Sequence, residues 1–459
     1  MRIKYKFIAI GFATWMLASC TGQPPKTVVE NKEQSFWQLA KTPPMGWNSW
    51  DCYGPTVTEA EVKANTDYMS EKLKQHGWEY VIVDIRWYVE NDKAGGYNET
   101  DPIYTMDAKG RFMPAVKKFP SAADGNGFKS LADYVHSKGL KFGIHLMRGI
   151  PVEAVKKKCP IEGTKLTAAD IYSDKMQCKW LHDMYTVDSL KEGAQAYYNS
   201  IFKLYASWGV DYVKVDDLSR PYHQGEIEFI RQAIDQSGRP MVFSTSPGAT
   251  SLQKADHVMN HANLWRICDD FWDNWDALKP QFKRCADWAP YVGEGHWPDA
   301  DMLPLGRISV RGERGVDRMT GFSPTEQITL MNLWAIFRSP LMFGGDLPSN
   351  DAFTLSLLTN DDLLAVNQHS LSNRQLKEEN GLVVWTANVP NSDDKYLAFF
   401  NTRDAGSSEI SVKLAELGLT GNYSVKDLWS KEVKATANDQ YTQVVDAHAS
   451  VLLRFSKAK

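Results

Sequence analysis

Short buried strands alternate with amphipathic helices between about residues 43 and 343, a pattern that few folds accommodate. The strand-like segments are Tyr80–Ile85, Leu140–Leu146, Asp211–Asp216 and Pro240–Ser244, and each follows a stretch with helical periodicity. This alternation predicts a parallel sheet, and about eight strand–helix units fit into the segment. A doubly wound open sheet has the same periodicity, but no G-x-G-x-x-G motif follows the first strand. We therefore predict a (β/α)8 TIM barrel.

The pattern changes after about residue 365, where turn-separated, β-branched runs replace the alternation. These runs predict a C-terminal antiparallel β-sandwich of roughly 90 residues. The predicted domains are thus the barrel over 37–365 and the sandwich over 366–459. The runs are Leu382–Thr386, Tyr396–Asn401, Ile410–Val412, Tyr423–Val425, Gln443–Val445 and Ser450–Phe455.

The N-terminus has the pattern of a bacterial export signal. Three cations precede the apolar run Phe7–Ala18, which is too short to span a bilayer permanently. The run ends in Leu17-Ala18-Ser19-Cys20, which resembles a lipobox, so we expect residues 1–19 to be removed and Cys20 to carry a lipid. Residues 20–36 are predicted to form a flexible tether. The expected location is the periplasmic side of the outer membrane rather than the cell surface, because no acidic run follows Cys20.

Five further cysteines are spread over the predicted barrel: Cys52, Cys159, Cys178, Cys268 and Cys285. No pair has C-x-x-C spacing, which argues against a structural zinc site. An exported chain can form disulfides, and a Cys159–Cys178 pair is the first choice because both lie in one loop-like stretch. The odd number leaves at least one thiol free.

The net charge and the composition argue against some classes of binding partner and favour others. A net charge of −4 gives no electrostatic case for binding DNA or RNA. With 43% hydrophobic and 24% charged residues, the chain is an ordinary globular protein. Its 16 Trp residues hint at a ligand with flat apolar faces, such as a sugar.

Polar side chains follow several of the predicted barrel strands: Asp84, His145, Asp216, Asp217 and Ser244. The carboxyl ends of barrel strands converge on one face, where active sites lie. Strand alternation places Lys214 and Asp216 on one side, and the lysine favours the ionised carboxylate that a nucleophile requires. Asp217 points the other way and is expected to be a cap or a supporting residue.

A second group of carboxylates, including Asp269 and Asp270, follows about fifty residues later. Two carboxylates on neighbouring strand ends, one ionised and one protonated, provide the chemistry of glycoside hydrolysis. Trp265, Trp272 and Trp297 lie nearby in the sequence and are expected either to raise the pKa of the acid or to stack on a sugar.

Five segments, in the right order between Thr42 and Gln368, resemble strands of glycoside hydrolase family 27, the α-galactosidase family. The resemblance implies that Asp216 attacks the anomeric carbon and that Asp270 acts as acid and base. Asp269 is the rival, but the family spacing is four residues after Arg266. No metal or cofactor is implied. The segments are Pro43–Trp50, Tyr212–Asp216, Trp265–Trp275, Trp297–Leu303 and Leu333–Leu341.

The resemblance also implies a set of sugar-binding residues, with some departures. Trp50, Asp84, Lys214, Arg266 and Asp301 match positions that contact the sugar. Ile85 stands where the family has a second Asp that grips the C4 and C6 hydroxyls, and His145 replaces a Tyr. The long segment 147–188 is expected to form a rim over the pocket that shapes the aglycone site.

The expected activity is a retaining exo-glycosidase acting on terminal α-D-galactosyl residues of a glycoside, an oligosaccharide or a polysaccharide side chain. An alternative is a β-L-arabinopyranosidase, because β-L-arabinopyranose is galactose-configured but lacks C6, and Ile85 removes an acceptor for the C6 group. Against this, Arg86 or His145 could compensate for the missing carboxylate. A non-catalytic carbohydrate-binding lipoprotein is a third alternative.

Overall fold

A computed structural model describes residues 34–458. The predicted signal peptide, Cys20 and the tether up to residue 33 lie outside the described residues, so lipidation and export stay predictions. Within residues 34–458, no helix combines the length and apolar character that a membrane crossing requires.

The predicted TIM barrel is confirmed in the described part of the chain, where eight parallel strands form one sheet. The strands are paired in the order β7-β6-β5-β4-β3-β2-β1-β8. The chain just beyond β7 closes the barrel, because the amide of Leu303 donates to the carbonyl of Met342 in β8 at 2.7 Å. The strands are β1 Met45–Asn48, β2 Tyr80–Val83, β3 Lys141–Met147, β4 Tyr212–Asp216, β5 Val242–Thr245, β6 Leu264–Arg266, β7 Trp297–Asp299 and β8 Leu341–Phe343.

Helices surround the barrel, and local signals set several of their ends. Glu59–Tyr68 begins with a capping box between Thr58 and Glu61. Ala194–Trp208 ends at Gly209, which adopts the left-handed conformation with φ 86° that glycine tolerates best. The other helices of eight or more residues are Lys129–Ser137, Gln224–Gln236, Gln281–Trp288, Pro324–Phe337 and Asp361–His369; the shorter ones include Trp50–Tyr53, Val152–Lys156, Ala168–Ile171, Ala255–Met259, Trp275–Leu278 and Ala352–Leu358.

The segment between β3 and helix Ala194–Trp208 is folded rather than an open loop. Ile150–Pro151, Met184–Val187 and Tyr172–Ser173 form a small antiparallel sheet. We call residues 148–193 the rim insert. Two of the cysteines lie in it.

The predicted Cys159–Cys178 disulfide is not formed, since both thiols are free and buried. Cys159 packs against Gly110, so close that a side chain on that glycine would clash with its Cβ. Cys178 instead lies near the charges of Asp217 and Asp216 and near the backbone of Trp180. The two cysteines do not pair because, although both lie in the rim insert, they pack against different parts of the protein.

The C-terminal sandwich is also confirmed, with a six-stranded and a two-stranded antiparallel sheet. Two of its strands, Leu371–Glu379 and Val433–Ala437, are mostly exposed, and the sequence did not indicate them. Helix Asp361–His369 spans the predicted boundary at residue 365, and the first sandwich strand starts at Leu371. The six remaining strands are Leu382–Asn388, Lys395–Asn401, Ser408–Lys413, Tyr423–Asp427, Gln440–Val445 and Ser450–Lys457.

Candidate active site

A cavity of about 990 Å³ opens at the carboxyl ends of the barrel strands, where the sequence placed the site. Six of the predicted residues line this cavity. They are Trp50, Asp84, Ile85, Lys214, Asp216 and Asp270.

Asp84 lies at the end of β2 inside a dense set of donors. Its Oδ2 accepts from Asn48 Nδ2 at 2.7 Å and from Lys214 Nζ at 3.0 Å. Burial alone would raise the pKa of Asp84, but His145, Lys214 and Asn48 together hold it below the usual value. Asp84 is therefore an ionised acceptor that faces the cavity.

Asp216, at the end of β4, shares the same charge cluster. Its Oδ2 is 3.0 Å from His145 Nε2, and its Oδ1 accepts from the amide of Asp217 at 3.1 Å. Burial disfavours the charge on Lys214, but Asp84 and Asp216 outweigh that effect and raise the lysine pKa. Lys214 and Asp216 both line the cavity, and the positive charge of the lysine lies near the carboxylate.

Asp270 follows β6 and is the more exposed carboxyl of the pair, with 40% of its side chain accessible. Arg266 Nη2 lies 3.3 Å from Asp270 and 2.7 Å from Asp301. Asp301 also accepts from the amide of Phe271, the residue after Asp270, at 2.7 Å. Arg266 and Asp301 thus fix the backbone and the side chain around Asp270.

Three predicted sugar contacts lie behind the cavity wall rather than on its surface. His145, Arg266 and Asp301 are all buried, and none is among the residues that line the cavity. His145 contacts Asp216, while Arg266 contacts both Asp270 and Asp301. In this structure they position the lining carboxylates.

The neighbouring carboxylates have separate partners. Asp217 forms an ion pair with Arg148 at 2.7 Å, and burial raises its pKa to about 6 despite that partner. Asp269, the predicted rival of Asp270, forms an exposed ion pair with Arg220. Both line the cavity, but neither contacts His145 or Arg266 in the way that Asp216 and Asp270 do.

The proposed sugar-contact role of two tryptophans is not supported. Trp297 lies inside the barrel below the site, packed with Tyr80 and Tyr212, and its indole donates to the carbonyl of Ala40. Trp265 points outwards from β6 and packs against Trp288. Both are fully buried core residues.

Several lining residues had no signal in the sequence pattern. Tyr97 comes from the loop after β2, Trp180 from the rim insert, and Glu313 from the loop that follows β7. Such loops have no hydrophobic periodicity, so only the three-dimensional structure brings these side chains to the site.

Comparisons with known proteins agree with this geometry. A family model described as alpha galactosidase A matches residues 42–192 and 156–369, and a model of the alpha galactosidase C-terminal beta sandwich domain matches residues 379–455. Alpha-galactosidase A of Cellvibrio japonicus is 31% identical over 364 residues, which are 76% of this chain and 73% of that protein.

Solved structures include closer relatives. A β-L-arabinopyranosidase of glycoside hydrolase family 27 from Geobacillus stearothermophilus, crystallised with arabinose, is 51% identical, with a TM-score of 0.91 over 93% of this chain and 100% of that one. The matches cover both the barrel and the sandwich, and the chain belongs to glycoside hydrolase family 27, a family of glycosidases.

Proposed function

We propose that the protein is a retaining exo-β-L-arabinopyranosidase. The observation that carries this proposal is Ile85, whose apolar side chain lines the cavity directly beside Asp84. An apolar wall offers no acceptor for the hydroxymethyl group of galactose, so a buried hydroxyl there would lose its hydrogen bond. A pentopyranose with the same configuration has no such group to bury.

The two residues that could have compensated for the missing carboxylate are already engaged. Arg86 is fully buried and is bound by Asp183 and Asp92 at 2.6–2.8 Å. His145 lies between Asp216 and Asp84. Neither side chain lines the cavity, and an arginine cannot accept a hydrogen bond from a sugar hydroxyl.

The similarity to known proteins also favours β-L-arabinopyranose as the glycon. The Geobacillus stearothermophilus protein, whose structure is described as that of a β-L-arabinopyranosidase, is 51% identical, whereas the α-galactosidase of Cellvibrio japonicus is 31% identical. α-D-Galactosidase activity remains the second candidate, because many relatives carry that name, among them alpha-galactosidase 2 of Arabidopsis thaliana.

The proposed mechanism uses two carboxyl groups in two steps. Asp216 attacks the anomeric carbon while Asp270 donates its proton to the glycosidic oxygen, so the C–O bond breaks and a glycosyl ester forms. Asp270, now ionised, removes a proton from water, and the water oxygen displaces Asp216. The sugar leaves with its original anomeric configuration, and both carboxyl groups return to their starting states.

The test is a paired measurement of kcat/KM with p-nitrophenyl β-L-arabinopyranoside and p-nitrophenyl α-D-galactopyranoside. We expect the arabinopyranoside to be preferred. Ile85→Asp should shift the ratio of the two values towards the galactoside by about tenfold or more, since it supplies the missing acceptor.

The matched control is Ile85→Val, which keeps the wall apolar and should leave the ratio nearly unchanged. A wild-type preference for the galactoside of about a hundredfold or more would contradict the proposal and favour the second candidate. An Ile85→Asp variant with an unchanged ratio would show that Ile85 does not set the glycon.

A further inference from the structure

Three aromatic rings line one side of the cavity in a row. The ring centroids of Trp50 and Tyr97 are 5.8 Å apart with planes tilted by 30°, and those of Tyr97 and Trp180 are 6.3 Å apart with planes tilted by 33°. We call these three side chains the aromatic row. Its first ring follows β1, its second lies in the loop after β2 and its third lies on the rim insert.

The middle and outer rings are held by one buried ion pair. The guanidinium of Arg86 lies 5.4 Å from the centroid of Tyr97. The same group binds both carboxylate oxygens of Asp183, three residues beyond Trp180, at 2.7 and 2.6 Å. Because Arg86 and Asp183 are almost fully buried, the insert is fixed next to Tyr97 before any ligand binds.

A second arginine fixes the other edge of the same stretch. Arg148 Nη2 donates to the carbonyl of Met176 at 2.6 Å, and its Nη1 donates to Thr186 Oγ1 at 3.0 Å. Trp180 therefore lies between Met176, which is held by Arg148, and Asp183, which is held by Arg86. Its 38% exposure is that of a ring displayed into a preformed cavity and not of a freely moving loop tip.

The cavity is larger than one pentose needs. At about 990 Å³ it is at the upper end of the range for pockets that hold drug-sized ligands. The carboxylates, Ile85 and Trp50 account for only part of its lining. Trp180 and its neighbours on the rim insert also line the cavity and have no role in the mechanism.

We propose that Trp180, packed against Tyr97, forms an aglycone subsite that stacks on the pyranose ring next to the scissile bond. Flat aromatic faces suit the apolar faces of sugar rings and provide a rigid contact area. This inference rests on the proposed glycosidase mechanism and specifies its substrate as an oligosaccharide or a polysaccharide side chain rather than a small alkyl glycoside.

The experiment compares two substrates with the same glycon. One is β-L-arabinopyranosyl fluoride, which has no aglycone sugar, and the other is β-L-arabinopyranose linked 1→3 to a second arabinopyranose. For Trp180→Ala, we expect the ratio of kcat/KM for the disaccharide to that for the fluoride to fall about tenfold, as expected for the loss of one aromatic contact. Trp180→Phe should restore most of the ratio.

Leu190→Ala is the matched control, because Leu190 is 94% exposed on the same insert and does not line the cavity. For Leu190→Ala, the ratio of kcat/KM for the disaccharide to that for the fluoride should equal the wild-type ratio. If Trp180→Ala lowered kcat/KM equally for both substrates, or for neither, the proposed subsite would be wrong.

Calorimetric binding of the disaccharide to the Asp216→Ala protein, with and without Trp180→Ala, gives a readout that needs no turnover. We expect weaker disaccharide binding in the double variant, and equal affinities would contradict the subsite.

If the wild type cleaves only α-D-galactosyl fluoride, the glycon proposal fails. The same comparison with a galactosyl disaccharide then tests the subsite separately.

Discussion

The two carboxyl groups assigned to catalysis differ in exposure and in their partners. Asp216 is buried, lies 3.0 Å from His145 Nε2 and is near the positive charge of Lys214. Asp270 is 40% exposed and lies 3.3 Å from Arg266, where it can meet both a leaving oxygen and an incoming water. The proposed roles rest on this asymmetry as well as on the sequence spacing.

Azide rescue distinguishes the two roles. Asp216→Ala and Asp270→Ala should each lower kcat/KM for a β-L-arabinopyranosyl disaccharide, whose leaving oxygen needs a proton, by about a thousandfold or more. Azide rescue uses p-nitrophenyl β-L-arabinopyranoside, because p-nitrophenolate leaves with little help from an acid. Azide replaces the lost nucleophile in Asp216→Ala and so forms the glycosyl azide of inverted configuration. In Asp270→Ala it attacks the glycosyl ester instead of water and gives the retained configuration. NMR of the product identifies the anomer.

Asp269→Ala is the control for this experiment. Asp269 is 63% exposed and is paired with Arg220 outside the Arg266–Asp301 network. Its loss should change kcat/KM far less than the loss of Asp270. If azide gave the same anomer with both catalytic variants, the assignment of nucleophile and acid/base would be wrong.

At the level of secondary structure, the buried elements were predictable and the exposed ones were not. The strand predicted over Asp211–Asp216 is observed at Tyr212–Asp216, because a continuous apolar run between two helices has few alternatives. Strand Leu371–Glu379 was missed because its residues are mostly exposed and its pattern is polar. The helical stretch before strand Tyr80–Val83 is an α-helix only as far as Tyr68 and continues as a π turn and a 3-10 turn to His76.

The site was predictable where residues alternate along barrel strands. The same alternation could have placed Trp265 on the outer face of β6, opposite to Arg266, instead of near the sugar. Tyr97 and Trp180 were beyond prediction, because loop and insert residues reach the cavity only through long-range packing. The rim itself was expected from the length of its segment, but its disulfide was not formed.

Arg148, the first residue of the rim insert, forms a second connection between the insert and the barrel, besides the Arg86–Asp183 ion pair. Its guanidinium binds Asp217 at 2.7 Å and Glu226 at 3.0 Å, and all three side chains are largely buried. Arg148→Met leaves two buried carboxyl groups without their cation, so we expect a loss of roughly 3–5 kcal/mol in unfolding free energy. Urea titration measures the loss.

The loss of unfolding free energy in Arg148→Met should depend on pH. Burial already raises the pKa of Asp217 to about 6 although Arg148 opposes the shift, and removal of Arg148 raises it further. A raised native pKa means that the folded state favours the protonated acid, so the penalty grows as pH rises through that pKa. Arg148→Met should therefore lose more stability at pH 8 than at pH 5.

Lys156→Met is the control, because Lys156 is 68% exposed and its ion pair with Glu153 is 4.0 Å long. Such a pair contributes less than about 1 kcal/mol. A loss in Arg148→Met no greater than in this control would contradict the view that Arg148 ties the insert to the barrel.

For the chain as a whole, one helix connects the sandwich to the site. Pro324–Phe337 is buried on all sides except near its start. Trp334 donates to the carbonyl of Asp301 at 2.9 Å, while Phe337 packs edge-on against Trp385 of the sandwich. Asn332 accepts from the indole of Trp429 at 2.8 Å. The apolar core continues across this helix from barrel to sandwich.

Such continuity predicts that barrel and sandwich unfold together. Trp385 is fully buried, and Trp385→Ala should lower the unfolding free energy by roughly 3–5 kcal/mol. Because Trp385 packs on the helix that contacts Asp301, thermal inactivation and the loss of far-UV circular dichroism should shift by the same amount, in one transition. Val433→Ala, at a sandwich residue that is 66% exposed, should shift neither. A Trp385→Ala protein whose sandwich melts first while hydrolysis persists would mean that the sandwich does not support the catalytic barrel.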